Sequence, residues 1–439
     1  MSEPGRNSRL MRIVQAATKI EPNELGATLL SFLFVFVLMT AYFIMRPVRD
    51  AMASDWSDAE VSLLWTMTFF FSVIAVSLYG GAISLVRFNR LVPGVYGFFA
   101  LSFFLFYFGS TLIADPVLVD KSFYVWLSVF SLFHLSVFWS FMSDLFNKHQ
   151  APRLFGIIAT GASVGAIAGP LLTAELVNRI GTDMLMLVSA TLLLIPVPII
   201  FVLDRLKITA LGNADLNVDL SAQQAIGRNP FAGFSLFLKN PYLIGIGCFI
   251  LLYVAIGSFV YFEIKNLFEV FTREERAQLL AYIDFAVNLL AILTAIFVTS
   301  RIATRFGMAT TLALIPVLMA IGMLVLALSP VVAVVAGLQV ARRAGNYAIT
   351  RPGREMLFTV VDRETRFKAK PVIDIVLYRG GDMVSAWAFT LLTTVVGLGL
   401  GGVAAVGAGI AAVWAFVGVY LGRSYARREA RTDSNLAGE

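Results

Sequence analysis

"LGATLLSFLFVFVLMTAYFIMR", residues 25–46, carries no charged residue before its last position. A helix rises about 1.5 Å per residue, so this run is long enough to cross the roughly 30 Å hydrocarbon core of a bilayer. The run is continuously apolar, whereas the strands of a transmembrane β-barrel alternate, which excludes a barrel. It is also longer than the apolar region of a signal peptide and lacks a convincing cleavage site, so we expect it to be retained as a transmembrane helix.

The same pattern recurs along the chain. Apolar residues make up 58% of the sequence and charged residues 14%, against roughly half and a quarter in soluble domains. The sequence therefore predicts an all-α membrane protein with twelve transmembrane helices, here called spans 1 to 12, at approximately 25–46, 60–82, 91–113, 121–146, 154–177, 184–204, 241–264, 278–300, 308–329, 331–360, 372–396 and 399–422.

Basic residues between the spans fall mainly on one side. Segments 1–24, 83–90, 147–153, 205–240, 301–307, 361–371 and 423–439 together contain 22 Lys and Arg residues. The opposite side has seven: Arg46, Arg49, Lys121, Arg179, Lys265, Arg273 and Arg276. The positive-inside rule then places both termini in the cytoplasm, and we expect the inner membrane of a bacterium. The net charge of +6 follows from this topology, so we expect no nucleic-acid partner.

The two halves of the sequence resemble each other at a nearly constant offset. A shift of 219 residues aligns Pro22 with Pro241, and Arg46 with Lys265. Because six spans is an even number, the two copies would start on the same side and form parallel repeats. We therefore predict two pseudo-symmetric six-helix bundles, with a cytoplasmic tail at 1–20, bundles at 21–204 and 241–424, a linker at 205–240 and a second tail at 425–439.

Smaller features suggest local structure. Phe231, Phe234 and Phe237 recur every three residues, which favours an interfacial amphipathic helix over a plain linker. Cys248, the only cysteine, is interpreted as a buried filler of span 7. In span 5 the glycines at 161, 165 and 169 predict close packing against a neighbouring helix.

Charged residues inside the spans are candidates for function, because a charge facing lipid near the bilayer centre costs at least about 2.5 kcal/mol. Arg342 and Arg343 lie about 18 Å from the outer end of span 10, and Arg379 and Asp382 about 12 to 17 Å into span 11. Adjacent helical residues diverge by about 100°, so only one of Arg342 and Arg343 is expected to point at a central cavity. The predicted substrate-binding residues are Arg46, Arg49, Lys265, Arg342, Arg343, Arg351 and Arg379. For Arg46, Arg49 and Lys265, interfacial anchoring is the alternative.

A second set of residues could couple or gate transport: His134, Glu263, Asp284, Glu355 and Asp382. His134 is either a satisfied core histidine or a proton carrier, and Asp284 is expected to be buried without a counter-ion. Spacing of three or four residues predicts ion pairs for Arg46 with Asp50, Arg351 with Glu355, and Arg379 with Asp382.

Sequence signatures of an enzyme are missing. The chain contains no G-x-x-x-x-G-K-[ST] motif for phosphate binding, and "GLGLGG" at 397–402 follows no strand. We therefore expect no enzymatic activity, no cofactor and no metal site.

The twelve spans, the repeats and the long central loop resemble the major facilitator superfamily. Within it, "FWSFMSDLFNKHQAPRLFG" (138–156), "NYAITRPGREMLFTVVDRETRFKAKPVIDIV" (346–376) and "YFIMRPVRDAM" (42–52) are similar to the ATP/ADP translocase family of bacteria and plastids. The resemblance adds Tyr347 to the substrate-binding residues. The chain differs from that family in two places: "FYVWLSVF" (123–130) has no acid, and span 11 carries Arg379 where the family has lysine.

The resemblance implies a monomeric transporter that exchanges a small anion, phosphorylated or nucleotide-like, by alternating access within membrane lipid. ATP/ADP exchange is one possible activity. A flippase or exporter of lipids or amphiphiles would use the same fold, and a non-transporting receptor or scaffold is a third possibility.

Overall fold

The computed structural model describes residues 20–85, 88–113, 115–147, 149–213, 232–297, 299–361, 369–370 and 372–437, and these residues are helical nearly throughout. Nine helical stretches in this part of the chain are long and apolar enough to cross a membrane, and one of them, Arg153–Thr209, covers spans 5 and 6. The all-α membrane fold predicted from the sequence is therefore confirmed.

The helices of the first half follow the predicted spans closely. Gly181, with φ 78°, breaks the long fifth helix between spans 5 and 6 in a conformation that other residues rarely adopt. The helices are Leu25–Met52, Asp58–Leu85, Phe88–Leu112, Pro116–Leu145, Ala151–Leu192 and Pro196–Thr209.

In the second half, spans 10 and 11 are interrupted, which is why they are not among the nine stretches. Span 10 contains the π-helical segment Asn346–Thr350, and span 11 contains π-helical segments at its two ends, Val372–Leu377 and Leu391–Val395. Such π-turns are frequent at functional sites. The α-helices are Ala232–Lys239, Pro241–Leu267, Arg273–Phe297, Thr299–Leu328, Val332–Gly345, Arg351–Leu357, Tyr378–Thr390 and Leu400–Ala437.

The chain forms two compact units whose boundaries differ from those of the sequence repeats. Unit 1 comprises Met1–Asp50, Phe70–Asp219 and Arg273–Phe285, and unit 2 comprises Ala51–Phe69, Leu220–Thr272 and Ala286–Glu439. Each unit therefore includes the beginning of a span from the other repeat, namely span 2 in unit 2 and span 8 in unit 1.

Span 5 packs tightly against span 1 inside unit 1. A methyl group on Gly165 would lie 2.4 Å from the carbonyl oxygen of Phe36, and one on Gly161 would lie 2.6 Å from that of Phe32. Only a residue without a side chain fits at these contacts, so the close packing predicted for the glycine stripe is confirmed.

The linker and Cys248 depart in part from the sequence interpretation. Phe231 lies outside the described residues, as does the side chain of Phe234, and the short helix begins at Ala232. The Phe237 ring lies against span 7, where a methyl group on Gly247 would approach it to 2.8 Å. Cys248 is exposed, so the prediction of a buried filler was wrong: its side chain is on the outer face of span 7.

Candidate functional site

In unit 1, Arg46 at the end of span 1 lies between two carboxylates. Its Nε atom is 3.8 Å from Asp50 on the same helix and 3.8 Å from Asp284 of span 8. Asp284 is buried, with 4% of its surface exposed. The expectation that it lacks a counter-ion was wrong, because span 8 contributes its first turns to unit 1 and brings the carboxylate to Arg46. The predicted pair of Arg46 with Asp50 is confirmed.

Arg49 completes this cluster. Its Nε and Nη2 atoms donate to one oxygen of Asp50 at 2.9 and 2.6 Å. Its Nη1 donates to the Ser128 hydroxyl at 3.1 Å, and the guanidinium lies over the Tyr124 ring. Asp50 thus joins two arginines, and Arg49 is held by groups on both spans 1 and 4.

His134 lies one helical turn deeper in unit 1. Its ring stacks on Tyr42 at 4.4 Å between centroids, and 6% of the residue is exposed. Its Nδ1 atom has no hydrogen-bond partner among the described residues. The aromatic contact and burial fit a core histidine, while the unpartnered nitrogen leaves a place for a proton.

In unit 2, Lys265 occupies the position in span 7 that matches Arg46 in span 1. Its ammonium donates to Asp58 at 3.1 Å and to Asn266 at 2.8 Å, and it lies 3.5 Å from Glu269. The hydroxyl of Thr393 also donates to Asp58, at 3.1 Å. With 3% of its side chain exposed, Lys265 is a buried, fully paired cation rather than an interfacial anchor.

The clusters around Arg46 and Lys265 have the same arrangement of charges. The offset of 219 residues that relates Arg46 to Lys265 also relates Asp50 to Glu269, and both are basic–acidic pairs four residues apart. Each cation also contacts a carboxylate that belongs, in sequence, to the other repeat: Asp284 for Arg46 and Asp58 for Lys265.

Glu263 is the most isolated acid among the candidates. None of its surface is exposed, and neither carboxylate oxygen has a hydrogen-bond partner among the described residues. Asp58 is close enough to act on it electrostatically, and Lys265 follows two positions later. Burial of an unpaired carboxylate is costly, so this position is suited to a group that gains and loses a proton.

Arg342 is held in unit 2 by neutral groups. Its Nε and Nη2 atoms donate to the Gln339 side-chain oxygen at 3.2 and 2.8 Å, and Nη1 donates to the Tyr253 hydroxyl at 3.4 Å. The guanidinium also approaches span 7 where there is no side chain, because a methyl group on Gly257 would lie 2.8 Å from Nη1. Within the described part of the chain no carboxylate forms an ion pair with Arg342.

The Tyr253 ring lies beside this guanidinium, and two further rings contact Tyr253. Tyr253 lies 5.7 Å from Arg342 Cζ, 6.2 Å from the ring of Tyr378 and 5.7 Å from that of Trp414. Tyr347, on the π-helical segment of span 10, is 39% exposed. Arg343 is as buried as its neighbour, at 4% exposed.

Arg379 and Asp382 form the predicted pair on span 11, with 3.7 Å between Nη1 and Oδ2. About a quarter of each side chain is exposed, 24% and 25%. Asp382 also interacts electrostatically with Arg342, although less directly than with Arg379. At 3.7 Å the pair is longer than a hydrogen-bonded ion pair.

The predicted pair of Arg351 with Glu355 is wrong. Glu355 instead accepts hydrogen bonds from Arg354, at 3.1 Å, and from Lys370 of the following segment. Arg351 is exposed. Both residues lie in the regular helix Arg351–Leu357, so the spacing permits the contact, but Arg354 and Lys370 occupy the Glu355 carboxylate instead.

Sequence reasoning missed several residues that shape the site. Tyr253 and Gly257 lie on span 7, and Asp58 lies at the start of span 2, far from their partners in sequence. Gln339 could have been found, because it precedes Arg342 by three residues on one helical face. The others depend on packing between spans, which one sequence does not display.

Comparisons with known proteins agree on the fold. The structure is similar to a bacterial homologue of the human lysosomal transporter Spinster, in an inward-facing and unoccupied conformation, with TM-score 0.57, 14% identity, and coverage of 93% of this chain and 99% of that one. It is also similar to the nucleoside transporter NupG, with TM-score 0.58 and 14% identity, and to a variant of it, with TM-score 0.63 and 15% identity; both alignments cover 91% of this chain and 99% of NupG.

No curated protein matches by sequence. Residues 25–350 match the family model described as Major Facilitator Superfamily, which is most of the chain. The protein belongs to the Major Facilitator Superfamily of membrane transporters.

Proposed function

We propose that this transporter moves a small anion, phosphorylated or nucleotide-like, across the bacterial inner membrane by alternating access, with both termini in the cytoplasm. The observation that carries the proposal is Arg342, a buried cation held by neutral partners. A charge at this depth costs at least about 2.5 kcal/mol when it is not compensated. Asp382 acts on Arg342 electrostatically without an ion pair, and an anionic substrate would supply the direct partner.

The geometry of the guanidinium favours phosphate or carboxylate. Gln339 occupies the edge formed by Nε and Nη2. At the other edge, between Nη1 and Nη2, the described acceptor is the Tyr253 hydroxyl at 3.4 Å, a long contact. Two parallel N–H groups on this edge match two oxygens of an oxyanion, an arrangement that Arg provides and Lys does not.

The support for a nucleotide-like substrate is the resemblance of the motifs in span 10, and the similarity to NupG concerns the fold alone. The ring beside Arg342 belongs to Tyr253, which is 8% exposed and contacts the fully buried Trp414. These rings therefore hold the guanidinium in place. Exchange of ATP for ADP is the narrowest form of the proposal.

Glu263 is the proposed coupling group. A carboxylate that is fully buried and makes no hydrogen bond among the described residues can bind a proton without breaking other contacts. Asp284, Glu355 and Asp382 already contact cations, and His134 stacks on an aromatic ring, so they are better suited to gating or positioning.

A thermal-shift screen tests the proposal. Purified protein is mixed with ATP, ADP, glucose 6-phosphate, a dicarboxylate or a short-chain phospholipid, since a ligand at 100 times its dissociation constant stabilises by about 2.7 kcal/mol. We expect a soluble phosphate compound to stabilise the wild type and the control Arg179→Gln, which removes an exposed arginine, but not Arg342→Gln. Stabilisation by the phospholipid alone would favour the flippase if Arg342→Gln abolishes it and Arg427→Gln/Arg428→Gln does not. Equal stabilisation of Arg342→Gln by a soluble phosphate compound would refute the assignment of Arg342.

A further inference from the structure

A basic pocket lies at the cytoplasmic end of span 12, away from the candidate site. It has a volume of about 430 Å³ and is lined by Pro241, Tyr242, Val360, Tyr420, Ser424, Arg427 and Arg428. All of these residues belong to unit 2. Three spans contribute to the pocket, because Pro241 and Tyr242 begin span 7 and Val360 ends span 10.

The polar wall of the pocket is organised by contacts between these spans. The Arg428 guanidinium lies over the Tyr242 ring, with 4.5 Å from Cζ to the centroid. The Tyr242 hydroxyl donates to the Leu357 carbonyl at 3.1 Å, which fixes the ring. Arg427 Nη2 lies 3.4 Å from the Ser424 hydroxyl. Two guanidinium groups are thus positioned beside a hydroxyl that can donate to an acceptor.

A second, more apolar groove shares two residues with this pocket. It has a volume of about 490 Å³ and is lined by Phe416, Val419, Tyr420, Arg423, Ala426 and Arg427. Phe416 is 73% exposed and Tyr420 51% exposed, and both lie within the apolar run of span 12. The groove therefore runs from the basic pocket along the face of span 12 toward the hydrocarbon region.

We propose that the pocket and groove together bind one anionic phospholipid from the cytoplasmic leaflet. The headgroup phosphate would lie between Arg427 and Arg428 beside Ser424, and an acyl chain would follow Tyr420 and Phe416. Basic pockets between transmembrane helices on the cytoplasmic side are suited to anionic headgroups. Glu429, the acid closest in sequence, accepts a hydrogen bond from Tyr425 at 2.9 Å.

A soluble anion could satisfy the arginines but would not use the groove. A zwitterionic lipid could fill the groove but would bring its own cation to the arginines. The combination of two guanidinium groups and an apolar track is therefore specific for a lipid with net negative charge. This inference is independent of the transported substrate, because it concerns binding at the edge of span 12.

The test measures binding of dioctanoyl phosphatidylglycerol to purified full-length protein by calorimetry, below the concentration at which the lipid forms micelles. Dioctanoyl phosphatidylcholine tests the need for charge, and glycerol 3-phosphate and inorganic phosphate test the need for chains. The titrations use the Arg342→Gln variant, so that binding at the proposed transport site does not contribute. We expect saturable binding of phosphatidylglycerol, at least tenfold weaker binding of phosphatidylcholine, and no saturable binding of the two soluble phosphates. Equal affinity of this variant for phosphatidylcholine, or for a soluble phosphate, would overturn the proposal.

Variants locate the site. Each basic residue near a membrane surface contributes a factor of about five, so Arg427→Gln/Arg428→Gln should weaken phosphatidylglycerol binding about 30-fold. Tyr420→Ala should also weaken it, because this ring lines both cavities. The matched control Arg90→Gln/Arg305→Gln removes two exposed arginines from the same predicted side and should leave the affinity unchanged. Wild-type affinity in the Arg427→Gln/Arg428→Gln variant, or an equal loss in the control, would refute the assignment.

Discussion

Replacing Gly257 with alanine should weaken anion binding without unfolding the protein. The added methyl group would lie 2.8 Å from Arg342 Nη1, whereas nonbonded atoms are most stable at about 3.5 to 4.0 Å. The guanidinium must therefore move by about 0.7 Å or more. A displacement of this size stretches the 2.8 Å bond to Gln339 and misaligns the edge proposed to bind the anion. A hydrogen bond to a charged group contributes about 1.5 to 3 kcal/mol, so we expect a loss of affinity of at least tenfold.

Stability should change little, since the atom that must move is the end of a flexible side chain. Alanine also favours a helix over glycine by about 0.5 to 1 kcal/mol, which offsets part of any strain. The assay is a titration of each variant with the anion that stabilises the wild type most strongly in the screen, read as a melting temperature.

Gly337→Ala is the matched control, because Gly337 lies on the helix that carries Arg342 and a methyl group there meets nothing within 4 Å. Adding Gly257→Ala to Arg342→Gln should cause no further loss of affinity, because both changes act on one interaction. Wild-type affinity in Gly257→Ala would refute the reasoning, and so would an equal loss in Gly337→Ala.

Three further predictions follow from the sites described above. Asp284→Asn should lower the free energy of unfolding by about 1 to 3 kcal/mol, a moderate loss because Arg46 keeps Asp50 as a partner. Adding Arg46→Gln to the same protein should recover part of the loss. If chemical denaturation shows the double variant to be less stable than Asp284→Asn alone, the pairing is contradicted. Glu263→Gln should abolish proton uptake coupled to substrate entry in proteoliposomes while the melting temperature stays within a few degrees, with exposed Glu175→Gln as control; unchanged coupling would exclude Glu263. Reporter fusions after residues 150, 215 and 365 should be cytoplasmic and those at 118 and 272 external, and a cytoplasmic signal at 118 would contradict the topology.

Fold class could be predicted from the sequence because it depends on local properties. The length of each apolar run and the absence of alternation determine that it crosses a bilayer as a helix. The stripe containing Gly165 predicted close packing for the same reason, since residues four apart share a helical face whatever the partner. The π-helical turns of spans 10 and 11 were not predicted, because they alter the phase of a helix without a distinctive composition. The pair of Arg351 with Glu355 failed for another reason, since Lys370, 15 residues later, binds the carboxylate.

The candidate site depends on contacts between spans, which could not be predicted from local sequence. Burial depth identified Arg342 as a cation in need of compensation, but not the groups that hold it, because Tyr253 and Gly257 come from another span. The side chain of Gln339 accepts hydrogen bonds from one edge of the guanidinium and so leaves the other edge as the one proposed to bind an anion. Which edge is occupied depends on hydrogen-bond geometry, which the sequence does not give.

Internal duplication explains why the sequence reveals the cations of spans 1 and 7, Arg46 and Lys265, but only some of their acidic partners. A shared offset relates Arg46 to Lys265 and Asp50 to Glu269, so each repeat inherits a basic residue followed by an acid four positions later. Asp58 and Asp284 lie on spans 2 and 8, the equivalent second helices of the two repeats, but a shift of 219 places Asp58 on Ala277. Ala277 and Asp284 are seven residues apart, close to two helical turns, so they lie on about the same face of span 8. The offset alone therefore could not identify the two acids as equivalent, although each cation is held by one acid of its own repeat and one from the second span of the other.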